Sequence, residues 1–398
     1  MRTPPTDLIL TINAGSSTLR FAIFEVGNAA EPVRRCSGTM ERLGGVGPSA
    51  CRMSGGANGG MPVMDGVVDH RLAITALLEW LVARGDVDRI VAVGHRIVHG
   101  GPDRAVPAPV DARLLESLEE LVPLAPLHQP HGLLAIRALG ELLPGCLQVA
   151  CFDTAFHHSL PPHARRVSIA DLAGGQRLQR VGFHGLSYEH LARELSIHHP
   201  GARRAVLAHL GNGASMCALK DGKSVDTTMG LTPLDGLPMG TRSGSVDPGL
   251  LLWLLQHGGF DAEALADLLY RRSGLLGLSG LSADMRVLLA SADARAREAV
   301  DVFTYQCAKA LAALTVPLGG LDAIVFTGGI GENAVEIRAE IVRRCAWLGV
   351  ALDDAANQRN DRCISSPASS ASIWIIPANE EIALARHALA VLRAGSRR

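Results

Sequence analysis

The sequence predicts an α/β protein assembled from two similarly built halves. Short β-rich apolar runs alternate with stretches of helical period along the whole chain, the pattern of layered α/β folds. A strand, Gly/Ser turn, strand unit over residues 8–25 is echoed over residues 205–219, a weak sign of duplication. Composition agrees: 47% of the 398 residues are apolar, enough for a sizeable core. Glycine reaches 43 residues, above the usual ~7%, as in a chain with many tight turns and with backbone that a ligand approaches closely.

Taken in order, Leu8-Ile-Leu-Thr-Ile12 is a β-rich run ending at Asn13-Ala-Gly-Ser-Ser17, and Leu19, Phe21 and Ile23 alternate along the next strand, so the two form a hairpin. Residues 44–66 carry no period and are expected to be a long loop. Leu72–Val82 is helical in pattern, Ile90–Gly94 is a buried strand running into His95–Gly101, Asp111–Leu121 and His131–Leu143 are helices, and Leu147–Phe152 is a strand stopping at Asp153. In the second half Ala205–Leu210 and Met216–Leu219 are strands about the turn Gly211–Ser215, and Lys220–Gly222 turns again. Leu250–Gln256, Ala262–Leu269 and Ala294–Val316 read as helices, Ala323–Phe326 as a strand, Thr327–Asn333 as a Gly-rich turn and Asn333–Cys345 as a helix. Ser365–Ser372 is a surface connection, Ile373–Ile376 a strand and Glu380–Arg393 a closing helix.

Charge excludes some functions. Lys and Arg total 38 against 39 for Asp and Glu, a formal net charge of -1, without the basic surplus that nucleic-acid or electrostatic membrane binding needs. No apolar run is long enough to span a bilayer, and Met1-Arg-Thr-Pro-Pro-Thr-Asp7 has no apolar signal core. The eight cysteines show no C-x2-C spacing and read as small buried hydrophobes of a reducing compartment. The expected location is the cytoplasm.

Familiar nucleotide motifs fail. Gly222-Lys-Ser224 resembles the end of a P-loop, but the earlier glycine falls on Cys217 and the flanks read as a hairpin. Gly329-Ile-Gly331 begins a dinucleotide fingerprint, yet Ala334 replaces the third glycine. There remain the turns Asn13–Ser17, Gly211–Ser215 and Gly328–Asn333, whose backbone amides can cradle anions. Any one is commonly a hairpin or a cap; three, each with a small polar side chain, point to a polyphosphate held between two domains. Arg96 and Arg242 sit in apolar or Gly/Ser settings, where a planar guanidinium suits phosphate or carboxylate oxygens better than packing. Asp153 at a strand end is either a helix cap or a catalytic carboxylate. His128 lies in a stiff Pro turn and His184 between Gly182-Phe183 and Gly185; near Arg and Asp they suit donors to a developing anion. His157-His158 and His198-His199 read as surface pairs.

These motifs in this order resemble the acetokinase family, within the actin-like, sugar-kinase-like ATPases. The resemblance runs nearly end to end through Asn13–Ser17, Gly94–Gly101, Ala125–His128, Phe152–His157, Gly182–Gly185, His209–Ser215, Asp226–Gly230, Met239–Gly244, Gly329–Asn333 and Asn379–Glu381. It implies two actin-like (ribonuclease H-like) domains flanking a nucleotide and substrate cleft, residues 1–152 plus 383–398 forming one and residues 153–382 the nucleotide-binding other. It implies magnesium-dependent (manganese is an alternative), reversible, in-line transfer of the ATP γ-phosphoryl to a short carboxylate, giving an acyl phosphate and ADP. By position, Arg96 binds the carboxylate with His128 beside it, Asp153 orients it as proton donor or acceptor, and His184 and Arg242 stabilise the transferring phosphoryl. Asn13 and Glu380 lie by the metal. Arg20, His209, Leu210, Gly211, Asn212, Gly213, Asp284, Met285, Arg286, Gly329, Ile330, Gly331, Glu332 and Asn333 hold the nucleotide. Val98, Leu127, Phe183 and Pro233 line the acyl pocket, and the valine suits acetate, with propionate tolerated because one methylene discriminates by only ~1–3 kcal/mol. A homodimer is implied, with no nucleic-acid or membrane partner. The alternatives are a propionate kinase, or an actin-like ATP-binding scaffold without transfer activity.

The chain departs from the family pattern at Arg20 (usually Lys), Leu186 and Tyr188 (usually Thr and His), Thr228 (usually Ser) and Ser245 (usually Asp).

Overall fold

The computed structural model describes residues 6–27, 31–44, 49–54, 68–171 and 178–395. They form two compact units, Met1–Ala155 with Asn379–Arg398, and Phe156–Ala378.

In the first unit, β1 (Asp7–Ala14) and β2 (Thr18–Val26) form the expected hairpin, extended by β3 (Val33–Glu41) and β4 (Ala50–Ser54). On the other side β1 pairs in parallel with β5 (Ile90–Ile97), which pairs in parallel with β7 (Leu147–Phe152); the two-residue β6 (Ala108–Pro109) closes the edge. Strand β4 corrects the expectation of an unbroken loop over residues 44–66. Ala50–Ser54 pairs antiparallel with β3 although its sequence has no apolar alternation, because an edge strand needs only one backbone ladder. Residues 45–48 and 55–66 of that stretch lie outside the described residues.

Strand β1 is buried along its length apart from Asp7, since helices cover both faces of the sheet at that point. On one face Leu8, Leu10 and Ile12 pack with Ile74, Leu77 and Leu81 of the helix His70–Ala83 and with Leu139 of the helix Gln129–Leu142. Asp69 caps the first of these helices, accepting from the Leu72 N–H at 2.8 Å. The C-terminal helix, Glu380–Gly395, packs on β1, β5 and β7. Gly94 permits this close approach: a Cβ there would stand 2.9 Å from the Leu384 carbonyl oxygen.

The second unit holds β8 (Arg204–Leu210), β9 (Ala214–Lys220), β10 (Lys223–Thr227), β11 (Ala323–Thr327) and β12 (Ser372–Ile375), in the order β10-β9-β8-β11-β12. Its first three strands form an antiparallel meander and the last two add in parallel, as β3-β2-β1-β5-β7 do in the first unit. The turn at Lys220–Gly222 joins β9 to β10, so the P-loop-like Gly222-Lys-Ser224 lies in a hairpin. Two expectations are corrected here. Gly328–Asn333 is a short helix rather than an open turn, its start tied by the Glu332 carboxylate, which accepts from the Gly328 N–H at 2.9 Å. His157 is not a surface residue: it is 1% exposed, bonded through Nδ1 to Ser224 Oγ (2.8 Å) and through Nε2 to the Phe183 carbonyl (2.9 Å). Nε2 must donate to that carbonyl, and burial pushes the ring's pKa down to about 4, so at neutral pH the ring is uncharged.

Candidate active site

The first unit gathers four of the expected residues into one buried network. Arg96 on β5 donates through Nε and Nη2 to Asp153 Oδ2 (3.1 and 2.7 Å) and through Nη1 to Asn13 Oδ1 (3.1 Å), with Glu380 Oε2 3.2 Å from Nη1. Asn13 Nδ2 in turn donates to Glu380 Oε2 at 2.7 Å. Three parallel-paired strands and one helix supply the side chains: Asn13 lies one residue before the end of β1, Arg96 near the end of β5, Asp153 follows β7, and Glu380 begins the C-terminal helix. Carboxyl ends of parallel strands are where α/β sheets present ligand-binding groups. Burial alone would lower the guanidinium pKa; Asp153 and Glu380 outweigh it and hold the charge of Arg96 more firmly than in water. Half-buried Glu381 is pushed up, by burial first and then by Glu380 beside it.

The Asp153 carboxylate therefore pairs with a cation, and its backbone N–H donates to the Ile97 carbonyl (3.0 Å), tying the residue to β5. Arg20 is exposed and pairs in register with Asn13 across the β1–β2 hairpin. Val98 is buried just past β5, Leu127 is half-buried, and His128 precedes the helix Gln129–Leu142.

In the second unit His184 and Arg242 converge on Gly213. A Cβ on Gly213 would lie 2.8 Å from Arg242 Nη2 and 3.4 Å from His184 Nε2, so only glycine leaves this approach open. His184 takes a left-handed conformation (φ 58°) at the start of the helix Gly185–His198, one that costs a non-glycine residue of order 1–3 kcal/mol. Its ring stacks on His209, with centroids 4.2 Å apart and planes 18° apart. Arg242 is 7% exposed, and its Nη1 donates to the Pro233 carbonyl (2.6 Å). Phe183 is buried.

The Gly211–Gly213 turn follows β8 and the helix Gly328–Asn333 follows β11; the strands are paired in parallel with His209 opposite Thr327, so both segments leave the same end of the sheet. Leu210 is buried as the last residue of β8. Asn212 accepts from the Gly240 N–H (3.0 Å), joining the turn to the loop that carries Arg242. Asn333 Nδ2 donates to the Gly329 carbonyl (2.9 Å), and Glu332 ties Gly328 to Ala378 through both backbone N–H groups. Fully buried Arg338 holds the Gly331 carbonyl (3.0 Å), a support that the sequence reading missed. Asp284 caps the helix Met285–Ala290 and pairs with exposed Arg286; both line a shallow hollow of about 570 Å³, while Met285 is buried.

The departures also have places. Ser245 Oγ donates to Asp235 Oδ1 (2.6 Å), where an aspartate would set two like charges together. Thr228 Oγ1 accepts from the Met216 N–H (3.0 Å). Leu186 and Tyr188 are buried in the first turn of their helix.

Two α/β units that share a five-strand order, the first with Asn13, Arg96 and Asp153 at the ends of parallel strands, have the build of the actin-like phosphotransferase class. The chain belongs to the acetokinase family, whose sequence model matches residues 8–386. It is 46% identical over 389 residues to an acetate kinase of Rhodopseudomonas palustris (strain TIE-1), covering 96% of this chain and 97% of that protein. Among solved structures it is similar to a propionate kinase from Francisella tularensis subsp. tularensis SCHU S4 (TM-score 0.89, 34% identity, 96% of this chain and 99% of that one). It is also similar to the acetate kinase of Porphyromonas gingivalis (TM-score 0.84, 33% identity, 97% and 100%). The expected family and the two-domain actin-like fold are both borne out.

Proposed function

We propose that the chain transfers the γ-phosphoryl group of ATP to acetate, reversibly and in line, giving acetyl phosphate and ADP. The convergence of Arg242 Nη2 and His184 Nε2 on side-chain-less Gly213 supports this most directly. Phosphoryl transfer needs positioning and charge neutralisation more than covalent help, and these are two donors aimed at one open position. Arg96, held by Asp153, receives the acid's carboxylate, and Asp153 manages its protonation. The family resemblance assigns His128 to the acid, and Val98 and Leu127 of the first unit and Phe183 and Pro233 of the second to its apolar end. The family resemblance assigns the nucleotide to His209–Gly213, Asp284–Arg286 and Gly329–Asn333 in the second unit and to Arg20 in the first.

Magnesium is the proposed metal. Among the described residues no group of three or more His, Cys, Asp and Glu could hold an ion, but magnesium needs only one or two carboxylates besides phosphate and water. Asn13 Oδ1 and Glu380, both hard oxygen donors in one network, fit that demand. When bound, the ion neutralises phosphate charge.

Acetate over propionate is the proposed preference because Val98, buried, stands where a smaller residue would admit propionate, and the preference is partial, since a methylene is worth only ~1–3 kcal/mol. The decisive assay supplies ATP and magnesium with acetate, propionate and butyrate and traps the product as hydroxamate. Acetyl hydroxamate is expected first. No product from any acid would leave only the scaffold, and a propionate optimum would reassign the substrate.

A cytoplasmic location is supported by eight cysteines, none of them in a disulfide bond. Among the described residues no helix is long and apolar enough to cross a membrane. A homodimer is supported by the helix Pro248–Gln256, nine residues that bury none of their side chains and expose Leu250, Leu252, Trp253 and Leu255. Trp253→Asp should yield a monomer in light scattering; an unchanged mass would remove this helix from the interface.

A further inference from the structure

Tyr188 stands where the family usually carries histidine, and it belongs to a hydrogen-bonded chain that ends at His184. The left-handed turn at His184 starts the helix Gly185–His198, so Tyr188 comes one helical turn later, with its N–H donating to the His184 carbonyl (3.0 Å). Tyr188 and Ser215 are fully buried. The Tyr188 hydroxyl lies 2.5 Å from Ser215 Oγ, and Ser215 Oγ lies 2.8 Å from His184 Nδ1. The stacked His209 ring, with Nδ1 2.9 Å from Ser187 Oγ, holds the plane of His184 from the other side.

Proton accounting gives this chain a direction. A serine hydroxyl has one proton and can donate to only one of its two neighbours. Either hydroxyl of the Tyr188–Ser215 pair could donate; the phenol is the more acidic, and with it as donor the serine proton goes to His184 Nδ1. That nitrogen must then be bare, and the ring's own proton sits on Nε2, the nitrogen directed at Gly213 beside Arg242. An N–H there attracts a phosphoryl oxygen; the other neutral tautomer would present a lone pair and repel it.

We propose that Tyr188 is a positioning residue that, through Ser215, locks His184 in the Nε2–H tautomer required of a donor to the transferring phosphoryl group. The inference deepens the reading of His184 given above and rests on it.

The test uses the full chain with histidine imidazoles labelled in ¹⁵N. Long-range proton–nitrogen correlation spectra report each tautomer, and the His184 signal is assigned by its loss in His184→Gln. The expected wild-type pattern is protonated Nε2 and bare Nδ1. Ser215→Ala, which removes the donor to Nδ1, should mix the tautomers and lower kcat by about 10- to 100-fold, the usual cost of losing an orienting partner, with little change in KM for ATP or acetate. Tyr188→Phe, which keeps the ring and its packing, should give an intermediate pattern, and Ser215→Thr should restore the wild-type one. A protonated Nδ1 in the wild type overturns the proposal, as does a folded Ser215→Ala with an unchanged tautomer, even if turnover falls. Full turnover in His184→Gln would overturn the assignment of His184 itself, whatever its tautomer.

Discussion

The guanidinium of Arg242 is buried, anchored to the Pro233 carbonyl by one nitrogen and directed at Gly213 by the other. An arginine so placed has little packing to lose and transition-state charge to stabilise. Arg242→Ala is expected to lower kcat by about 10³-fold or more, the effect of removing an arginine finger, while thermal unfolding changes little; near-normal turnover in the folded variant would refute the role. Asp153→Asn keeps the shape but removes the charge that holds Arg96. Acyl-phosphate formation should fall by about 10²-fold or more while ADP binding measured by calorimetry persists. Equal loss of both would mark Asp153 as structural. These residues were legible because a charged side chain in a Gly-rich or apolar run has no local reason to be there. His157 was not: its partners Ser224 and Phe183 lie 67 and 26 residues away, and no local pattern distinguishes a core histidine from a surface one. Ser215 was legible only as a turn residue and Tyr188 only as a departure; their bonds toward His184 stayed hidden for the same reason.

At the scale of elements, the C-terminal helix does two jobs, covering the central strands of the first sheet and delivering Glu380 to Arg96. Both depend on the absent side chain at Gly94. Gly94→Val should destabilise the chain by about 1–3 kcal/mol, as overpacking does, read as a lower urea midpoint; a wild-type midpoint would show that the helix can shift without cost. Helices and strands with strong period were readable because apolar spacing and capping residues such as Asp69 and Asp111 act locally. Strand β4 and the helix Gly328–Asn333 were not, since one owes its form to a neighbouring strand and the other to a carboxylate, in a segment whose three glycines read equally well as a turn.

Across the whole molecule, buried neutral histidines couple stability to pH. Burial pushes both His95 and His157 down to about 4 from an ordinary 6.5. Above pH 6.5 neither the folded nor the unfolded chain protonates them; below it the unfolded chain binds protons that the folded chain refuses. Stability therefore falls as pH drops from 6.5 toward 4, by about 2 kcal/mol per histidine between pH 7 and pH 5. Denaturant titrations at those two pH values should show the loss, and equal midpoints would refute it. What the sequence determined by itself was the α/β class, the order of most elements, the family and the residue types of the site, because period, turn chemistry and motif spacing are properties of neighbours along the chain. The tertiary structure alone decided that five strands of each sheet share one order and that Arg96 is clasped by Asp153, Asn13 and Glu380. It also decided that Ser215 and Tyr188 stand behind His184. Those facts rest on burial and on bonds between distant residues, Asn13 and Glu380 being 367 apart, which only the packed chain brings within reach.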